Sequence, residues 1–236
     1  MKKSTWRRSI EKRCSSLTVG GFRPSNELVS SCFGEVRATE DEVWPQFERK
    51  LLWPVCQLNL LDAPYLPECL SDLAMLQFFV LDEFWRIEQS IIDTSKPTPS
   101  GPFFLNTFKN LEALRAVDAP KHGSPFKSFE ARWNEDVLTD YPTHDCLPFD
   151  FDELDIGDYY DQDGVEPLYA TKLGGWPSCV QSEPWWDRRA EGKDFEFAFQ
   201  IDSEEKANCW WGDNGVVYFA RHKSNSDVWA VDWQCL

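Results

Sequence analysis

Apolar and polar residues alternate over 195–201 (FEFAFQI), where Phe195, Phe197 and Phe199 are separated by Glu196 and Ala198. A period of two puts the three rings on one face of an extended chain and predicts a strand with one buried side. Residues 228–233 (VWAVDW) repeat the pattern through Trp229, Val231 and Trp233. Three short apolar runs, 52–60 (LWPVCQLNL), 75–81 (MLQFFVL) and 215–220 (GVVYFA), predict buried strands. Gly212-Asp213-Asn214-Gly215, just before the last of these, supplies turn chemistry. Helical spacing is rarer. Phe84, Ile87 and Ile91 behind Asp82 predict a helix over 82–92, and Phe126, Phe129, Trp133 and Val137 predict an amphipathic helix over 126–138, closed by Tyr141-Pro142. Thr94–Pro102 holds three prolines and no period, and reads as a joint.

Several short elements occur twice in the same order. The first half has Phe33-Gly34, Trp44-Pro45, Cys56-Gln57-Leu58-Asn59 and Gln77-Phe78-Phe79; the second has Leu173-Gly174, Trp176-Pro177, Phe199-Gln200-Ile201-Asp202 and Val217-Tyr218-Phe219. Matching order and spacing point to one supersecondary unit used twice. The expected fold is therefore α+β, predominantly antiparallel β-sheet, built from two pseudo-repeated halves in one domain. Its predicted organisation is a basic N-terminal segment over 1–24 and a domain over 25–236, with halves 25–93 and 103–236 joined over 94–102.

The run LGGWPSCVQSEPWW, followed by FAFQIDSEEK, CWWGDNGVVYF and DVWAVDWQCL, resembles the YwqG-like family, the bacterial branch of the TYPP-domain proteins. VWP, CQLNL, LPECL and MLQFFV fall where that family has its N-terminal half. The resemblance covers residues 25 to 236. Some bacterial members look like immunity proteins of polymorphic toxin systems, and the eukaryotic relatives act in ribosome assembly as protein-binding factors. What the resemblance implies is binding to another protein; it supplies no catalytic residues.

Within the motif, Gly174-Gly175 permits a tight turn, Pro177 fixes the exit and Trp176 is expected in the core. Gln181, Gln200 and Asp202 are expected to hydrogen-bond neighbouring backbone, with Gly212 and Gly215 serving the later turn. The glycine pair lacks the spacing and the following Lys-Ser/Thr of a phosphate loop.

Net charge changes the picture more than length does. The 236 residues carry −16, which disfavours nucleic acid or an anionic membrane surface as partner. Residues 1–23 hold seven Lys or Arg against one Glu, so the remainder carries about −22. The N-terminal stretch lacks the apolar run of a signal peptide, and no segment approaches membrane-spanning length, so the expectation is a cytoplasmic protein. The eight cysteines show no C-x-x-C pair and are expected as free core thiols.

From Asp145 to Glu166 there are nine carboxylates and no Lys or Arg. Asp150, Asp152, Glu153, Asp155, Asp158, Asp161 and Asp163, with Tyr159 and Tyr160 between them, form a candidate surface for steering and anchoring a basic protein. The alternative is a solvated loop that keeps a ring-rich protein soluble. Trp185-Trp186 joins the candidate surface, because adjacent tryptophans on an extended segment face opposite sides and leave one near solvent; Trp210-Trp211 follows the same logic. Asp161-Gln162-Asp163-Gly164 has part of a calcium-loop register, but neither loop end supplies a carboxylate. Three histidines without i, i+4 spacing exclude an obvious zinc motif, and His144-Asp145-Cys146 is a weak nucleophile signature. No cofactor is expected. The leading expectation is a non-enzymatic immunity protein that neutralises a basic toxin domain by direct binding. The alternatives are a chaperone-like escort of a basic ribosomal protein and an uncharacterised enzyme.

Overall fold

The computed structural model describes residues 8–21, 27–40, 43–86, 89–147, 159, 165–188 and 193–236. Its strands in the first part of the chain are β1 (Lys12–Val19), β2 (Cys32–Phe33), β3 (Ala38–Thr39), β4 (Gln46–Phe47), β5 (Lys50–Leu51), β6 (Trp53–Asn59), β7 (Met75–Val80) and β8 (Gln89–Asp93). Then come β9 (Phe103–Phe108), β10 (Arg115–Ala116), β11 (Phe129–Trp133), β12 (Leu138–Asp140), β13 (Lys172–Gly174), β14 (Phe195–Asp202), β15 (Val216–His222) and β16 (Val228–Gln234). Twelve of these form one sheet in the order β8-β16-β15-β14-β13-β1-β11-β2-β6-β7-β9, with β12 also pairing β1. Every ladder in it is antiparallel. The end strands β8 and β9 approach each other, so the sheet is nearly closed and barrel-like.

The five segments with apolar alternation or apolar runs are strands, β6, β7, β14, β15 and β16, within two residues of the predicted bounds. Both predicted helices are corrected. Over 82–92 there is a single 3₁₀ turn at Phe84–Arg86 and then β8, which pairs with β16 at five positions from Gln89↔Asp232 to Asp93↔Val228. Over 126–138 lie β11 and the start of β12. Phe129 and Trp133 are four apart, a spacing that suits one face of a helix and one face of a strand equally; pairing with β1 and β2 decides for the strand. The proline-rich stretch 94–102 links β8 to β9 across the place where the sheet nearly closes.

One core serves both parts of the chain. Phe78 from β7 meets Phe219 from β15 edge-on at 4.8 Å, and Phe199 stacks on Phe219 at 4.2 Å. Leu17, Val19, Phe33, Val55, Ala198 and Trp229 belong to the same buried cluster. Rings of this size remove large apolar areas from water, and their edge-on and offset contacts add to that burial.

The two flanks of the sheet also share registers. Phe33 pairs with Cys56 and Leu173 with Phe199. Cys56 pairs with Phe78 and Phe199 with Phe219, each after a bulge one residue earlier. Phe78 pairs with Leu105 and Phe219 with Val231.

Candidate functional site

The twice-occurring glutamines sit at matching places and make matching bonds. Gln57 Nε2 donates to Ser30 O at 3.1 Å and Oε1 accepts from Ala38 N at 3.3 Å. Gln200 Nε2 donates to Ala170 O and Oε1 accepts from Ser178 N, both at 2.9 Å. Each amide thus stitches the segments before and after a short strand (β2 or β13) onto its neighbouring long strand, satisfying buried backbone groups on both sides of it.

Around Gln200 lies the most polar buried cluster. Lys172 on β13 is fully buried, and its Nζ donates to Asp140 Oδ2 at 2.7 Å, Leu168 O at 2.7 Å and Ser178 Oγ at 3.0 Å. Asp140, at the end of β12, also accepts from Trp176 N at 2.8 Å, Leu168 N at 2.9 Å and Tyr141 N at 3.0 Å. Burial pushes the Lys172 ammonium below its ordinary range, against the pull of Asp140. All three ammonium protons and both carboxylate oxygens are engaged, which is what a buried ion pair requires to persist.

The glycine pair follows from this cluster. Gly174 (φ +70°) and Gly175 (φ +73°) both occupy the left-handed region. A Cβ on Gly175 would stand 2.3 Å from Asp140 Oδ2, and one on Gly174 3.0 Å from Arg13 O. Gly175 thus leaves room for the carboxylate that Trp176 N binds. Pro177 is buried, whereas Trp176 is only half-buried, corrected from the core position expected of it; its indole N–H donates to Ile10 O and its ring lies 3.5 Å beneath Lys12 Nζ. Gln181 is exposed and contributes its backbone N–H, donated to Gln234 Oε1 at 3.1 Å, so Gln234 performs the bridging expected of Gln181. Gly212 has φ +65°, and a Cβ on Gly215 would lie 2.1 Å from two carbonyl oxygens.

Of the candidate partner surface, Asp150, Asp152, Glu153, Asp155, Asp158, Tyr160, Asp161 and Asp163 lie outside the described residues. Tyr159 is buried, with its hydroxyl donating to Pro142 O at 2.6 Å. Trp185 and Trp186 are both buried, a correction to the expectation that one faces solvent. They lie on a one-turn helix, Trp185–Arg188, whose first N–H groups include Trp185 N donating to Asp232 Oδ2 at 2.9 Å. Helical geometry puts neighbours about 100° apart, so both rings reach the same core. Trp210 and Trp211 do divide as expected, 39% and 0% exposed.

The cysteines need a second correction. Cys146 and Cys179 form a disulfide, bringing a 3₁₀ turn (His144–Cys146) against the segment after Pro177. Cys146 therefore offers no thiolate to His144. Cys14, Cys32, Cys56, Cys69, Cys209 and Cys235 are free, and burial pushes the Cys14 and Cys69 thiols up to about 12.

Among the described residues, two cavities bear on the site. One, of about 380 Å³, is bordered by Glu68, Cys69, Asp72, Glu196, Arg221 and His222. Arg221 there is already committed, donating to Asp72 from both terminal nitrogens and to Ser226 O from Nε. The other, of about 390 Å³, is floored by Asp202, whose carboxyl is pushed up to about 6 by burial while its Oδ1 accepts from Ser203 N at 2.8 Å. Among the described residues no three His, Cys, Asp or Glu side chains are grouped to hold a metal ion.

The family model described as Domain of unknown function (DUF1963) matches residues 30–235. The chain belongs to this family. DUF1963 includes the YwqG-like proteins, and its match runs from just before β2 to the end of β16, leaving β1 outside it. No curated protein matches the chain. Among the described residues no helix is long and apolar enough to cross a membrane.

Sequence reading found Gln200, the glycine pair and Asp202 but missed Asp140, Lys172, Ser178 and Gln234. A lysine one residue before a buried LGG turn was the available signal for Lys172. Asp140 lies 32 residues away and carries no local mark.

Proposed function

We propose that this DUF1963 protein is a cytoplasmic YwqG-like immunity protein, which neutralises a bacterial toxin by binding it and carries out no catalysis. The observation that carries this reading is the charge, −16 overall with nine carboxylates between Asp145 and Glu166. Such a charge accelerates encounter with a basic domain and repels nucleic acid. The internal use of Lys172, Asp140 and Arg221 supports it, since these buried groups serve structure. The test is co-expression with the product of the adjacent gene, scoring toxicity and recovery of a complex. Rescue with a stable complex is expected. Recovery of ribosomal proteins in its place would favour an escort role, and hydrolase activity in the purified chain would favour an enzyme.

We infer further that the sheet descends from one repeated unit. The shared registers, bulges and glutamine bonds support it, as do Gly34 and Gly174, whose added Cβ atoms would meet Lys127 O and Arg13 O respectively. On this reading β1 and β11 are counterparts: β1 pairs with β13, β11 pairs with β2, and the two pair with each other about Thr18↔Arg132. Each unit lends its first strand to the other. We therefore set the start of the second unit at about β11, later than residue 103.

A further inference from the structure

The registers identify which residues of one flank correspond to those lining the cavity above Asp202 on the other. Asp202 pairs with Val216 as Asn59 pairs with Met75. Tyr169 precedes the carbonyl bound by Gln200 as Val29 precedes the one bound by Gln57. On the first flank this place is filled. Met75 and Val29 pack with Leu111 and Leu114, side chains from the segment between β9 and β10. β10 then pairs with β3, Arg115 opposite Thr39.

On the second flank the corresponding walls line the open cavity of about 390 Å³, bounded by Tyr169, Cys179, Val180, Asp202, Val216 and Leu236. Tyr169 and Leu236 at its margin are 57% and 76% exposed. Cys179, the counterpart of Thr39, is held by Cys146. Among the described residues no strand forms over 178–180. The floor differs too. Where the filled flank has Asn59, whose Oδ1 accepts from Leu61 N, the open one has a carboxylate that accepts from Ser203 N.

We propose that this cavity docks a short extended segment of a protein partner, with a leucine-like side chain against Val180 and Val216 and a lysine or arginine against Asp202. The chain's own filler supplies the apolar part of the pattern, Leu111 and Leu114, and Arg115 follows them in the sequence. A basic residue is required because the cavity floor is acidic and the molecule carries −16. The inference rests on the repeated-unit reading and gives the protein-binding reading a site.

The probe is the capped peptide KNLEALRAV, residues 109–117 of this chain, titrated into the ¹⁵N-labelled full chain. Amide shifts are expected at residues 179–180, 203 and 214–216, with a dissociation constant on the order of 1 mM or below. Asp202→Asn, which installs the residue of the filled flank, is expected to weaken binding about tenfold. A peptide with citrulline for arginine should lose as much and then be indifferent to Asp202→Asn. Equal shifts from a scrambled peptide, shifts elsewhere, or unchanged affinity in Asp202→Asn would overturn the site. If a toxin is captured with affinity unaffected by Asp202→Asn and Leu236→Asp, the site falls and the protein-binding reading stands. If the peptide docks but no toxin is neutralised, the immunity reading falls and the site stands.

Discussion

Asp140 and Lys172 illustrate how a buried charge is tolerated, because each is surrounded by partners that water would otherwise supply. Removing either partner has unequal consequences. Asp140→Ala strands a buried ammonium and frees three backbone N–H groups, so a loss of about 3–5 kcal/mol is expected by denaturant titration. Lys172→Met leaves a carboxylate still holding those three N–H groups and should cost less; an equal or larger loss would show that the lysine is the anchor. Asp202 answers to pH. Its carboxyl stands at about 6 in the folded protein against 3.8 as the ordinary value, so between those pH values the folded state holds more proton than the unfolded one. Its contribution is therefore fully present below pH 4 and lost as pH rises through 6. The stability of Asp202→Asn relative to the parent should rise by about 2 kcal/mol from pH 4 to pH 7, measured by urea unfolding at each pH. A flat difference would mean that the carboxylate is better solvated than its burial implies.

Among elements, the long strands were legible because their apolar content matches their environment: β6, β7 and β15 are buried on both faces, and so are residues 198–201 of β14 and 229–232 of β16, although their sequences alternate. The short strands β2 and β13 were not, since two or three residues hold no period, yet they carry the residues that face the paired glutamines. The helices were misread where a spacing of four fits both geometries. The candidate site was legible only where it is local. The glycine pair announces a turn, but the carboxylate that requires Gly175 comes from another strand. Gly175→Ala is accordingly expected to destabilise by about 2 kcal/mol or more, combining left-handed strain with a contact 2.3 Å from Asp140 Oδ2. Gly21→Ala, with φ +79° and nothing within 4 Å, isolates the strain and should cost about 1 kcal/mol. If thermal unfolding finds the two equal, Gly175 is not reserving space for Asp140. The disulfide was illegible for a related reason: Cys146 and Cys179 are 33 residues apart, and only the docking of the 3₁₀ turn brings them together.

At the scale of the molecule, the exchange of first strands proposed above would account for the two flanks sharing one core and one ladder through β1 and β11. A unit whose first strand lies in its partner's sheet has no closed core by itself: residues 127–236 lack β1, which covers the edge of β13 next to Lys172, and residues 1–126 lack β11, which covers β2. An uncovered edge of that kind seeks a substitute strand. Fragments 1–126 and 127–236, cut ahead of β11, should therefore fail to fold as monomers when produced separately. Co-expressed, they should form a 1:1 complex with the far-ultraviolet circular dichroism of the intact chain. A homodimer of 127–236, in which each β11 takes the place of β1 on the other copy, is also consistent, because the exchange would then be closed by symmetry. A stable, cooperatively unfolding monomer of either fragment in analytical ultracentrifugation would refute the exchanged-strand architecture, and with it the correspondence that places a docking segment above Asp202.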